Sequence, residues 1–127
     1  MNCSCGTDII EIERIKKSIE ELGEKFVTKI YSEKEIEYCE RKNKAKYQHY
    51  AARFAAKEAI FKAISSNLTS KYEITWTDAE ILNDEKGKPY VHFIENKMPN
   101  LAQIDISISH CKEYAVANVI AIWENIK

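Results

Sequence analysis

Glycine and proline are scarce in this chain, with three glycines and two prolines in 127 residues. No linker, low-complexity tract or internal repeat interrupts it, and it reads as one domain, residues 1–127, around one core. Neither sign of charge dominates: 19 Lys and Arg stand against 20 Asp and Glu, a net charge of −1. No global field therefore draws the molecule to nucleic acid. Long apolar runs are missing too, so nothing reads as a membrane crossing. The opening residues, Met1 to Asp8, lack the basic and apolar segments of a secretory signal. Of four cysteines, Cys3 and Cys5 are two apart, whereas zinc pairs normally leave about two to four residues between ligands. Free thiols in a reducing cytoplasm are the expectation.

The stretch richest in structure is Tyr50-Ala-Ala-Arg53-Phe54-Ala-Ala-Lys57-Glu58-Ala-Ile-Phe61-Lys62-Ala-Ile64. It holds no Gly or Pro, and alanine, the strongest helix former, recurs through it. The composition predicts one helix from near Lys46. At 3.6 residues per turn, Tyr47, Tyr50, Phe54, Glu58 and Phe61 fall within roughly 40° of Phe54. Ala52, Ala56, Ala59 and Ala63 fall opposite. Neighbours can approach closely on the alanine side and pack rings on the other, which makes this a central helix. Glu58 is out of place in an aromatic stripe: a carboxylate there is paired, protonated or bound to a cation. An ordinary pair with Lys62 one turn on is one reading. A metal-binding carboxylate beside a phosphate-binding lysine is the other.

Residues 2–7 read as a short strand. Ile12, Ile15, Ile19 and Leu22 then mark one face of a helix that Gly23 ends. Asp8 with Glu11 has the spacing of a capping box, or else Asp8 ends the strand and points into a site. Residues 26–30 form a short helical segment, Ser32 with Glu35 caps another helix to about Glu40, and residues 41–46 are a basic connector. Residues 65–71 form a polar loop. The period then changes to strands: Glu73 to Thr77, a hairpin of residues 79–82 and 90–94 across the Asn83-to-Pro89 turn, and Ile104 to His110 with isoleucines inward. Residues 98–103 are a loop or one helical turn. After the turn at residues 111–113, Tyr114 to Trp123 runs antiparallel to the preceding strand. The order predicts an α+β fold, a mostly antiparallel sheet packed around a long central helix.

The polar groups left to carry chemistry are Asp8, Arg53, Glu58, Lys62, Ser109 and His110. Two carboxylates and a lysine suit a hard divalent cation and a phosphate, the habit of Mg²⁺. A metal-dependent nuclease has a similar inventory, but usually on a strand with Glu and Lys two apart, and this charge balance does not suit it. A non-catalytic binding or assembly module would not depend on Asp8, Glu58 or a metal. His49 and His92 have no evident partner.

The chain resembles the holo-[acyl-carrier-protein] synthases, small 4′-phosphopantetheinyl transferases, over nearly its whole length. The resemblance rests on Gly6-Thr-Asp8-Ile, on Arg53-Phe-Ala-Ala-Lys57-Glu58-Ala with Lys62, on Asn83-Asp84 through Gly87-Lys-Pro89, and on Ile106-Ser-Ile-Ser-His110 with Glu113-Tyr-Ala. It implies transfer of phosphopantetheine from coenzyme A to a serine of an apo-acyl carrier protein, giving adenosine 3′,5′-bisphosphate, in the cytoplasm and in fatty acid biosynthesis. It implies Mg²⁺ held by Asp8 and Glu58, Lys62 stabilising phosphoryl charge, and Glu58, directly or through a metal-bound water, as the base. Arg53, Lys62, Ser109 and His110 are then the coenzyme A contacts. It further implies a homotrimer with sites between subunits, His110 coming from the neighbour. Arg14, Lys16, Lys17 and Lys25 are the implied dock for the acidic carrier, diluted by Glu13, Glu20, Glu21 and Glu24. Ser65-Ser66-Asn67 stands where family members commonly carry glycines.

Overall fold

The structure, a computed structural model, describes residues 2–68, 74–95 and 97–124. Strand β1 (Asn2–Glu11) leads into helices α1 (Ile12–Leu22), α2 (Glu24–Ile30), α3 (Glu33–Glu40) and α4 (Lys46–Ile64). Strands β2 (Ala79–Asn83), β3 (Pro89–Phe93), β4 (Leu101–His110) and β5 (Tyr114–Trp123) follow. All pairings are antiparallel, in two sheets ordered β1-β5-β4 and β2-β3. The α+β class is as expected, with the strands divided between two sheets.

α4 lies across β1 and β5 because its alanine side lets them come close. Ala55, Ala56, Ala59, Ile60, Ala63 and Ile64 pack against Ile106, Ala117, Val119, Ala121 and Trp123. On the helix's first half, Tyr50, Ala51 and Ala52 join Ile12, Ile15, Ile30, Tyr31 and Cys39 in a second cluster under α1–α3. Burying both sides of one helix couples the two halves of the core.

Local signals set most of the boundaries. Gly23 ends α1 at φ 59°, where a side chain would be strained. Ser32 and Glu35 close the expected capping box on α3. The β2–β3 turn wraps around Asp84, whose Oδ1 accepts from Lys86 N and Lys88 N at 2.9 Å each, with Gly87 at φ 85°. Three local expectations change. β1 continues four residues past Thr7, since antiparallel pairing with β5 holds it as far as Glu11 opposite Tyr114. Trp76–Asp78 is a 3-10 turn instead of part of a strand, because Thr75 and Asp78 form a capping box of their own. Leu101 to Gln103 belongs to β4, with a register shift between Leu101 and Gln103. Glu73 and residues 69–71, read as strand and loop, lie outside the described residues. All four cysteines are free, and only Cys39 is buried.

Candidate active site

The site begins at Gly6. Ser4, Gly6, Asp8 and Ile10 alternate toward α4 along β1, while Cys3, Cys5, Thr7 and Ile9 point outward. A Cβ on Gly6 would lie 2.0 Å from the Ala59 carbonyl oxygen and 2.9 Å from Ala63 N. Strand and helix are thus in backbone contact, and Ser4 Oγ donates to the Ala63 carbonyl at 2.5 Å. Two residues on, Asp8 reaches Lys62: Nζ lies 3.3 Å from Asp8 Oδ1 and donates to the Thr7 carbonyl at 3.0 Å. Glu58, one turn earlier on the helix, is half-buried. Burial raises its carboxyl pKa first, the nearby Asp8 carboxylate raises it further, and Lys62 offsets part of both.

The contacts depart from the local readings at two points. Glu11, not Asp8, stands at the N-cap of α1, and no side chain caps that helix. Lys62 engages Asp8, and among the described residues no ion pair within 4.0 Å joins it to Glu58. Two carboxylates are left close enough to repel, with the exposed Lys62 paired to one of them. Their hard oxygens fit Mg²⁺. Among the described residues no group of three or more His, Cys, Asp or Glu gathers; one or two carboxylates with water and substrate phosphate is a common way to hold Mg²⁺.

A second cluster sits toward the start of α4. Arg53 is buried, donates from Nη2 to Asn83 Oδ1 at 2.6 Å, and stacks 4.0 Å above the Tyr38 ring. Its Nε has no partner. It lines a cavity of about 260 Å³ with Lys34, Tyr38, Asn83, Tyr90 and Arg41, the last ion-paired with Glu37, which also lines it. The His49 ring meets both Tyr38 and His110 edge-on at 5.6 Å. Burial, with help from Lys42, Arg53 and His110, lowers the His49 pKa to about 4. The buried guanidinium N–H without a partner, with Lys34 beside it, is the group here that suits an anion.

The predicted residues therefore fall into two groups. Asp8, Glu58 and Lys62 meet in one; Arg53 and His110 belong to the other. Ser109 joins neither within one chain, since strand alternation turns it to the outer face of the sheet, away from His110. His49, Asn83 and Tyr38 are additions. Asn83 lay in a motif already singled out, whereas nothing in the sequence tied His49 or Tyr38 to Arg53. His92 does have a partner, Glu80 Oε1 at 3.1 Å.

Residues 4–119 match the 4′-phosphopantetheinyl transferase superfamily. The holo-[acyl-carrier-protein] synthase of Ruminiclostridium cellulolyticum is 45% identical over 134 residues, covering 100% of this chain and 98% of that protein. That of Fusobacterium nucleatum is 46% identical, covering 92% and 96%. Among solved structures, the Helicobacter pylori holo-[acyl-carrier-protein] synthase in complex with coenzyme A superposes with a TM-score of 0.81 at 32% identity, over 93% of this chain and 99% of that one. The Bacillus anthracis synthase, in complex with CoA (3′,5′-ADP), gives 0.76 at 33% identity, over 96% of each. The chain belongs to the 4′-phosphopantetheinyl transferase superfamily, in the branch formed by the holo-[acyl-carrier-protein] synthases.

Proposed function

We propose that this protein transfers the 4′-phosphopantetheine group of coenzyme A to a serine of an apo-acyl carrier protein and releases adenosine 3′,5′-bisphosphate, as a cytoplasmic step of fatty acid biosynthesis. The observation that carries the reading is the meeting of Asp8 with Glu58 and Lys62 where Gly6 brings β1 onto α4. Asp8 and Glu58 are the residues that would hold Mg²⁺. When bound, the ion neutralises pyrophosphate charge and polarises the phosphorus under attack. Lys62 Nζ, exposed beyond its contact with Asp8, lies where it can donate to a phosphoryl oxygen as charge builds. The serine oxygen forms a bond to the phosphorus of phosphopantetheine, and the bond to the adenosine 5′-phosphate oxygen breaks. Glu58 is the group that takes the serine proton, directly or through one water. Without metal, burial raises its pKa above that of a free glutamate.

Coenzyme A is polyanionic, and the Arg53 corner suits its nucleotide phosphates: a buried guanidinium with an unpaired Nε, Lys34 near it, and His110 beside His49. Glu58 and His49 are nine residues apart, a rise of about 13 Å along α4. The two groups thus lie toward opposite ends of the helix, which supports a homotrimer in which one subunit's Asp8, Glu58 and Lys62 face another's His110. The outer face of the β1-β5-β4 sheet supports the same assembly, since Ile9, Tyr114 and Ile120 are exposed on it. Arg14, Lys17 and Lys25, all exposed on α1 and α2, are the proposed contacts for the acidic carrier; Lys16 lies against the Tyr47 ring at 5.6 Å.

The test is direct. Incubate the protein with Mg²⁺, coenzyme A and an apo carrier protein, and weigh the carrier by mass spectrometry. A gain of one phosphopantetheine on the carrier serine is expected, and an unchanged mass under these conditions would overturn the reading.

A further inference from the structure

Lys57 precedes Glu58 in the chain but points the other way, into the protein. Its side chain is fully buried and ion-paired to the equally buried Glu35, Nζ to Oε1 at 2.7 Å. Glu35 is otherwise satisfied by Ser32 N at 2.9 Å and Ile81 N at 3.0 Å. Lys57 Nζ also donates to the Trp76 carbonyl at 2.7 Å, which fixes the backbone of the turn ahead of β2. The Trp76 indole reaches back to α4. It stacks on Phe54 at 5.2 Å and meets Phe61 edge-on at 5.1 Å. Those two rings lie one turn before and one turn after Glu58. A single buried ammonium thus holds the turn whose indole spans the stretch of helix carrying the metal-site carboxylate.

We propose that Lys57 is a positioning residue for the Glu58 site and acts through Trp76. The inference rests on the metal-site reading of Glu58 given above. Glu58 lies between Phe54 and Phe61 along the helix, and the role assigned to the indole that packs on both rings is to wall one side of its carboxylate, restrict its rotamers and keep bulk water from that side. Lys57 touches no substrate; its part is to keep the Trp76 carbonyl in place.

Trp76 is one of only two tryptophans, so Trp123→Phe leaves it as the sole reporter. In that background, Mn²⁺ should quench Trp76 fluorescence saturably, and Glu58→Gln should abolish the quenching. Lys57→Met should shift the emission to the red, weaken the quenching and lower kcat about tenfold to a hundredfold, with KM for coenzyme A little changed. The loss in Lys57→Met/Trp76→Ala should not exceed that in Trp76→Ala alone, because both act through one ring. Emission and quenching unchanged in Lys57→Met, or losses that multiply, would overturn the proposal. Lys57→Met strands a buried carboxylate, so Lys57→Met/Glu35→Leu removes the pair together. If that variant regains wild-type quenching and kcat, the pair serves only the fold and the proposal fails. Wild-type kcat in Trp76→Ala overturns it whatever Lys57→Met does. A protein that transfers no phosphopantetheine at all would sink the assigned reaction instead, and the Mn²⁺ quenching would still test Lys57.

Discussion

At the scale of single residues, the tension sits on Glu58. Its pKa is raised by burial and by the Asp8 carboxylate, so the folded protein holds that proton more tightly than the unfolded chain does. Without metal, the part of the stability that Glu58 contributes is therefore greatest below the ordinary glutamate pKa and declines as pH rises through the raised value. Glu58→Gln should flatten this decline, measured as urea midpoints in EDTA from about pH 4 to 7. A wild-type midpoint that does not fall relative to the variant would contradict it. Asp8→Asn and Glu58→Gln should each lose most transfer activity while remaining folded, because each removes a hard oxygen with little change in volume. An active double variant, or equal turnover without Mg²⁺ or Mn²⁺, would reject the metal assignment. Glu58 was legible in the sequence because it breaks an aromatic stripe. Glu35 was not, since its capping role with Ser32 explained it locally and hid its second partner, Lys57, on another helix.

At the scale of elements, the close pass of β1 over α4 builds the site, and Gly6 permits it. Gly6→Ala should force strand and helix apart, because the added carbon would lie 2.0 Å from the Ala59 carbonyl oxygen. Overpacking of this kind costs about 1–3 kcal/mol or more. Equilibrium unfolding should register that loss, and transfer activity should fall with it, since Asp8 moves relative to Glu58. An unchanged unfolding midpoint would mean that the contact relaxes freely. The helices were readable because period, caps and composition agree; α4 runs Lys46–Ile64 as composition predicted. The end of β1 was not, since only pairing with a strand more than a hundred residues away holds Asp8 to Glu11 extended. The alternation around Trp76 pointed to a strand, yet the Thr75–Asp78 cap bends it into a turn. On α1, Ile12 and Ile15 face the core and leave Arg14 and Lys17 in solvent. Arg14→Glu should raise KM for the carrier more than for coenzyme A, and added salt should reproduce part of the effect. Equal effects on both substrates would remove α1 from the carrier dock.

At the scale of the whole molecule, the candidate residues of one chain fall into two separate groups. Asp8, Glu58 and Lys62 gather where β1 meets the later part of α4, while Arg53 and His110 border the earlier part. The proposed meeting of these groups across copies was not legible in the residues themselves, because surface shape, not local periodicity, decides how copies pack. Subunit mixing tests it. Glu58→Gln and His110→Ala should each be nearly inactive alone. Mixed in equal amounts under exchange, about three-quarters of cyclic trimers would contain both variants. In each mixed ring, whichever variant is in the majority, one interface of roughly three pairs an intact Glu58 with an intact His110. Activity should recover to roughly a quarter of wild type. If both residues served a site within one chain, every chain would lack one of them and mixing would restore nothing. Exchange verified by native mass spectrometry with no recovery would reject the shared site and leave the transferase reading standing.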